Sequence, residues 1–136
     1  TTVINYLDTS VLYDFYVKGP RTKKVQVFVN KHQNDLALSN WGEAEFFGVL
    51  GRRVRDGNLP ANLAERIASR YEQHRHGGLF KVYSLDAKSI AQTSSLLRRF
   101  KVSLKSADAL HLGLVQLEGL EIVTSDTGLA TVAKQL

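Results

Sequence analysis

The apolar run Val3-Ile4-Asn5-Tyr6-Leu7 constrains this chain most, because it stops at Asp8 and gives way to Thr9-Ser10 and a new helical pattern. The run is too short for a buried helix and rich in β-branched and aromatic residues. It therefore reads as a strand buried on both faces, as in parallel sheets. The rest of the sequence alternates such runs with amphipathic stretches. Helical spacing predicts helices over Ser10–Val17, Arg21–His32 and Trp41–Asp56, then one opened by Leu59-Pro60, with Pro in the first turn, striped by Leu63, Ile67 and Tyr71 and ended by Gly77-Gly78. Further helices are expected over Ala87–Phe100, Ser106–Leu117 and Asp126–Leu136, and further strands at Asp35–Ser39, Leu79–Leu85 and Glu121–Val123. Strands separated by helices in this order imply an α/β fold, a three-layer α/β/α sandwich around a parallel sheet.

A length of 136 residues is that of one domain, 1–136, large enough to bury a core. The absence of cysteine excludes a disulfide scaffold and a thiolate metal site, and suits a reducing compartment. No apolar run has transmembrane length and no signal-peptide pattern is seen, so no membrane partner is expected. Lys and Arg number 18 against 13 Asp and Glu, a formal charge of +5 and a pI near 9.6. A basic surface of this kind suits a polyanion such as RNA.

The acids then stand out by position. Asp8 follows the first strand and Asp126 the last, in Glu121-Ile122-Val123-Thr124-Ser125-Asp126. In open α/β sheets, ligands gather at the carboxyl ends of strands, so parallel neighbouring strands would bring both carboxylates to one edge. Asp108 falls in the first turn of the helix Ser106–Leu117, and Glu45 adjoins the apolar stripe of the helix that follows Ser39; Glu43 is turned away from that stripe and reads as solvated. Each acid also has an ordinary structural explanation. Asp8, Thr9 and Ser10 suit helix capping, and a first-turn Asp108 is favoured by the helix dipole.

These stretches carry a family resemblance. Asp8-Thr9-Ser10-Val11-Leu12, then Ser39 through Glu45-Phe46, then Lys105-Ser106-Ala107-Asp108-Ala109-Leu110-His111-Leu112, then Val123-Thr124-Ser125-Asp126-Thr127-Gly128-Leu129-Ala130 resemble the four blocks of a PIN domain, in order and across essentially the whole chain. More narrowly they resemble the VapC-type ribonuclease toxins of bacterial toxin–antitoxin pairs, as does Arg55-Asp56-Gly57-Asn58-Leu59 before a helix. The family's second acid precedes an aromatic or apolar residue, which points to Glu45 over Glu43. Gly42 departs from the pattern, since a bulky apolar residue is usual there, and it puts the start of that helix in question.

The resemblance implies a metal-dependent endoribonuclease using Mg²⁺ or Mn²⁺, hard cations that bind a few carboxylates and otherwise keep water. It implies Asp8 and Asp108 as principal ligands, Asp126 as ligand to a second, weaker position, and Glu45 as a ligand through water or the group orienting the nucleophile. Thr9 and Ser10 would hydrogen-bond ligand carboxylates or phosphate, and Thr124 would do so for Asp126. A cognate VapB-type antitoxin, a homodimer through the helices around Arg21–His32 and Arg52–Tyr71, and a cytoplasmic location in a bacterium or archaeon complete what the resemblance implies.

Other residues have more ordinary readings beside functional ones. His111, three residues after Asp108, reads as a packing or supporting residue; His74 and His76 sit at a polar helix end, where cationic side chains favour the dipole. Arg52, Arg53 and Arg55, and Arg98, Arg99, Lys101 and Lys105, form two basic clusters. A helical face reading Trp41, Glu45, Arg52 would carry an RNA strand past the metal by stacking and phosphate pairing. Two rival readings remain at this point. A haloacid-dehalogenase-like phosphatase needs a second acid two residues after Asp8, where Ser10 stands. A non-catalytic PIN-like RNA-binding module would be expected to lose acids, and all four are present.

Overall fold

The computed structural model describes residues 2–136. Its elements are β1 (Asn5–Leu7), α1 (Thr9–Tyr16), α2 (Thr22–Lys31), β2 (Leu36–Ser39), α3 (Asn40–Arg55), α4 (Ala61–His76), β3 (Lys81–Tyr83), α5 (Ala87–Arg98), α6 (Ser106–Glu118), β4 (Glu121–Val123) and α7 (Thr127–Gln135). The four strands form one sheet in the order β3-β2-β1-β4. Every pairing is parallel, with Tyr6 beside Ala37 and Ile122, and Leu38 beside Val82. This is the expected α/β/α sandwich, although β1 and β3 are shorter than their apolar runs.

Period-two alternation on the central strands divides the core between two layers. Leu7, Leu36 and Leu38 pack with Val11, Leu12, Tyr16, Val29, Phe46, Leu50 and Tyr71 of the first four helices. Tyr6 and Ala37 point the other way, onto Leu114 and Val115 of α6. Leu96, Leu112, Leu129 and Val132 close that second layer. The edge strands β3 and β4 are only half-buried, because each has a neighbour on one side alone.

Local capping fixes where the helices begin. Asp8, Ser39, Asp86 and Asp126 each accept a backbone N–H from the first turn of α1, α3, α5 and α7. The start of α3 is therefore well defined despite Gly42, whose own N–H donates to Ser39 Oγ at 3.0 Å. Pro60 stands at the N-cap of α4, one residue before the first turn expected for it. There its lack of an N–H leaves no helical bond unmade.

The second layer depends on a close helix crossing between α5 and α6. A Cβ on Gly113 would come 2.1 Å from Thr93 Oγ1 and 3.0 Å from the Thr93 Cα. Gly48, on the exposed face of α3, has nothing within 4 Å of its own virtual Cβ. Alanine gains about 1 kcal/mol over glycine in a helix interior. Overpacking a core typically costs about 1–3 kcal/mol, and backbone atoms cannot step aside. Gly113→Ala should therefore lose stability, by roughly 1–2 kcal/mol net, while Gly48→Ala gains about 0.5–1 kcal/mol. Urea unfolding midpoints check this, and shifts of the same sign in both variants would contradict the packing.

Candidate active site

The site stands where the carboxyl ends of β1, β2 and β4 meet the starts of α1, α3 and α7. Asp8 ends β1 and is 4 % exposed. A buried carboxylate is tolerated only when its oxygens are bonded, and Asp8 is supplied from both sides. Oδ1 accepts from Ser10 Oγ at 2.6 Å and from the Val11 N–H at 3.1 Å; Oδ2 accepts from Thr124 Oγ1. Capping and site placement are thus compatible, and the capping reading of Asp8 is correct as far as it goes. Ser10 also accepts the Ser125 N–H at 3.0 Å, so the hydroxyl two residues after Asp8 is fully occupied in joining β1 to the β4–α7 turn.

Thr124 departs from expectation. Its hydroxyl serves the Asp8 carboxylate rather than that of Asp126, and it accepts the Asp126 backbone N–H at 3.0 Å. Asp126 Oδ1 instead caps α7 through the Leu129 N–H at 3.0 Å. Thr9, by contrast, reaches across to α3 and donates to Glu45 Oε1 at 2.6 Å. The same oxygen lies 2.6 Å from His111 Nε2 on α6. Burial pushes the Glu45 carboxyl up, but the bonds from His111 and Thr9 outweigh it and leave it below its ordinary value. Both protein bonds fall on Oε1.

Asp108 lies in the first turn of α6. Burial raises its carboxyl above the ordinary value, and the negative field of Asp126, Glu45 and Asp8 raises it further. The four acids therefore share one electrostatic neighbourhood. Trp41 helps hold it together, since its Nε1 donates to the Ala107 carbonyl at 3.1 Å and ties the start of α3 to the start of α6. The half-buried indole is thus pinned, whereas Arg52, on the same side of α3, is exposed.

Among the described residues, the only Arg or Lys ion pairs are Arg21 with Asp14 and Arg75 with Glu43, and His111 meets Glu45 through a hydrogen bond. Asp8, Asp108 and Asp126 form no ion pair among the described residues. Glu43 is not solvated, contrary to expectation. It accepts from Tyr71 Oη at 2.9 Å and pairs with Arg75 at 3.0 Å, which commits it to the α3–α4 contact. His74 is likewise not a free cationic end group. Its Nδ1 bonds Tyr16 Oη, and burial and then Arg70 lower its pKa.

The donor set suits a hard divalent cation: carboxylate oxygens, no thiolate, and three acids in no ion pair among the described residues. No three His, Cys, Asp or Glu side chains of the described residues already meet around a point. A groove of about 790 Å³ runs along β4 between α6 and α7, and of the predicted site residues it touches only Thr124.

Sequence reasoning missed Tyr6 and underweighted Ser39. Tyr6 looked like one more apolar strand residue, yet its hydroxyl lies 2.8 Å from Ser39 Oγ and 2.6 Å from His111 Nδ1. A tyrosine and a histidine on buried faces of two elements each need a polar partner, and that need was the available signal.

Comparisons with known proteins agree with this architecture. The PIN domain family profile matches residues 6–135. No curated protein sequence matches the chain. Among solved structures, the chain is similar to Mycobacterium tuberculosis VapC20, described as a sarcin-ricin loop cleaving toxin, with a TM-score of 0.75, 17% identity and 94% of each chain covered. It is similar to FitAcB from Neisseria gonorrhoeae, with a TM-score of 0.75 and 21% identity over 96% of this chain and 94% of that one. It is also similar to VapBC2 from Rickettsia felis bound to a promoter DNA fragment, with a TM-score of 0.67 and 14% identity over 96% and 93%. At such identities the likeness establishes the fold. No helix of the described residues is long and apolar enough to cross a membrane.

The acid neighbourhood has a consequence for stability. An acid whose carboxyl is raised in the folded state costs stability once the pH exceeds both its folded and unfolded values, and the cost vanishes as the pH falls through them. With chelator present, Asp108→Asn should melt above the wild type at neutral pH, and the gap should close toward about pH 4, the ordinary carboxylate range. Melting curves across that interval measure it. A dipole role alone predicts the opposite, a variant that melts lower at neutral pH.

Proposed function

The chain belongs to the PIN domain family, and on that footing we propose that it is a divalent-metal-dependent endoribonuclease, the VapC-type toxin of a toxin–antitoxin pair. The observation that carries the reading is the grouping of Asp8, Glu45, Asp108 and Asp126 at the carboxyl edge of the sheet, three of them in no ion pair among the described residues. Asp8, Asp108 and Asp126 are the residues that would hold Mg²⁺ or Mn²⁺. The metal would lower the pKa of a bound water, orient it for attack on a phosphodiester and balance charge on the leaving oxygen.

The chain's own residues have distinct tasks in this reading. Ser10, Thr124 and the Val11 N–H fix the direction of the Asp8 carboxylate. Thr9 and His111 fix Glu45 through Oε1, which leaves Oε2 to receive a hydrogen bond from the attacking water. Exposed Arg52, with the basic group Arg98, Arg99, Lys101 and Lys105, supplies charge along the path of an RNA backbone. Trp41 acts here chiefly by holding α3 against α6.

The antitoxin belongs to the same proposal. Carboxylates lacking counter-ions attract an Arg or Lys from another chain, and a guanidinium suits two oxygens at once. The solved relatives include toxin–antitoxin complexes. Homodimerisation and a cytoplasmic location are part of the proposal too.

Incubation of the protein with a labelled total-RNA pool tests the activity, with Mg²⁺ or Mn²⁺ against chelator. Cleavage should require the metal, and Asp8→Asn and Asp108→Asn should each reduce it by a factor on the order of 100 or more. Arg52→Ala should weaken RNA binding and leave the maximal rate nearly unchanged. RNA binding without metal-dependent cleavage would favour the non-catalytic module, and cleavage unchanged in both Asn variants would end the nuclease reading.

A further inference from the structure

Glu45 is reached from the interior by a chain of hydrogen bonds that no part of the proposed reaction requires by itself. Ser39 Oγ accepts the Gly42 N–H at 3.0 Å. Tyr6 Oη lies 2.8 Å from Ser39 Oγ and 2.6 Å from His111 Nδ1, and His111 Nε2 lies 2.6 Å from Glu45 Oε1. Tyr6 and Ser39 are 0 % exposed and His111 is 2 % exposed, so no water relieves an idle donor.

The donor directions follow from counting hydrogens. Glu45 is a carboxylate and accepts only, so Nε2 must carry the hydrogen. With Nδ1 accepting from Tyr6 and Tyr6 accepting from Ser39, the bonds run one way, from Gly42 through Ser39, Tyr6 and His111 to Glu45. Every buried hydrogen then has an acceptor. The reversed order, with Nδ1 donating to Tyr6 and Tyr6 to Ser39, leaves the Ser39 hydroxyl hydrogen without a partner among the described residues.

Gly42 fits the same device. A Cβ there would lie 3.7 Å from His111 Cε1 and 3.6 Å from Ser39 Oγ. A methyl group fits, and anything longer competes with the imidazole for space. The glycine that departs from the family pattern is the room in which His111 reaches α3.

We propose that His111 is a positioning residue for Glu45, locked as its Nε2–H tautomer by the buried Ser39–Tyr6 hydroxyl pair and accommodated by Gly42. Together with Thr9 it fixes Oε1 from two sides, so that Glu45 presents Oε2 in one direction. This rests on the nuclease reading for its effect on rate, but the hydrogen-bond chain itself is testable without activity.

Two measurements on the intact protein decide it. A long-range ¹⁵N–¹H correlation spectrum should show the His111 ring with its hydrogen on Nε2 in the wild type, and Tyr6→Phe should loosen that preference. A hydrogen on Nδ1 in the wild type would overturn the proposal. In the cleavage assay, Gln at position 111 carries an amide N–H close to Nε2, whereas Asn places it close to Nδ1, out of reach of Glu45. His111→Gln should therefore keep kcat within about threefold, and His111→Asn should lower it by a factor of roughly 10–100 with KM little changed. A purely structural histidine predicts similar losses in both variants, and that result would overturn the proposal. Glu45→Gln, run alongside, separates the failures: undiminished cleavage there rejects the role assigned to Glu45, whatever the spectrum shows of His111.

Discussion

The buried carboxylate of Asp8 is the constraint around which the carboxyl edge of the sheet is arranged. At 4 % exposure it needs donors in place of water, and they come from two segments distant in the chain. The Val11 N–H and Ser10 hydroxyl belong to α1, and the Thr124 hydroxyl comes from the turn after β4. Satisfying one carboxylate therefore pins the first strand to the last one, and Ser10 strengthens the joint by accepting from Ser125. The parallel pairing of β1 with β4 brings these partners together, and it brings Asp126 with them. Glu45 has its own supports, Thr9 from one side and His111 from the other. Asp108 has neither donor nor cation among the described residues, and it is where the electrostatic cost collects.

Much of this was legible in the sequence because local rules and global fold agree. Short β-branched runs alternating with amphipathic stretches specify a parallel sheet with helices on both faces, and the order of elements follows directly. Asp8 and Asp126 stood out because each follows a strand, the first and the last. Glu45 could be preferred to Glu43 by its neighbour Phe46 and by family pattern, and the structure supplies a physical contrast between the two. Glu43 is tied to Tyr71 and Arg75, residues far along the chain, and no spacing rule announces that contact.

What the sequence did not disclose are hydrogen bonds between elements distant in order. Thr124 sits two residues before Asp126 but serves Asp8, while the Asp126 carboxylate caps α7. Tyr6 alternates correctly as a core residue, and only the packing of α6 over β1 shows what its hydroxyl is for. Gly113 reads as a helix defect until Thr93 is placed against it. β3 falls short of its apolar run for a related reason: it lies at an edge of the sheet, where pairing on one side alone limits how far the ladder extends.

The central claim is that Asp8, Asp108 and Asp126 form a seat for a divalent metal. Crystals of the wild-type protein grown or soaked with Mn²⁺ give the most direct measurement, through the anomalous difference density of the metal. The account predicts a peak between the carboxylates of Asp8 and Asp108, on the side toward Asp126, and its loss in Asp108→Asn. A Mn²⁺-saturated crystal with no density at that edge, or with the metal bound only elsewhere, would contradict it.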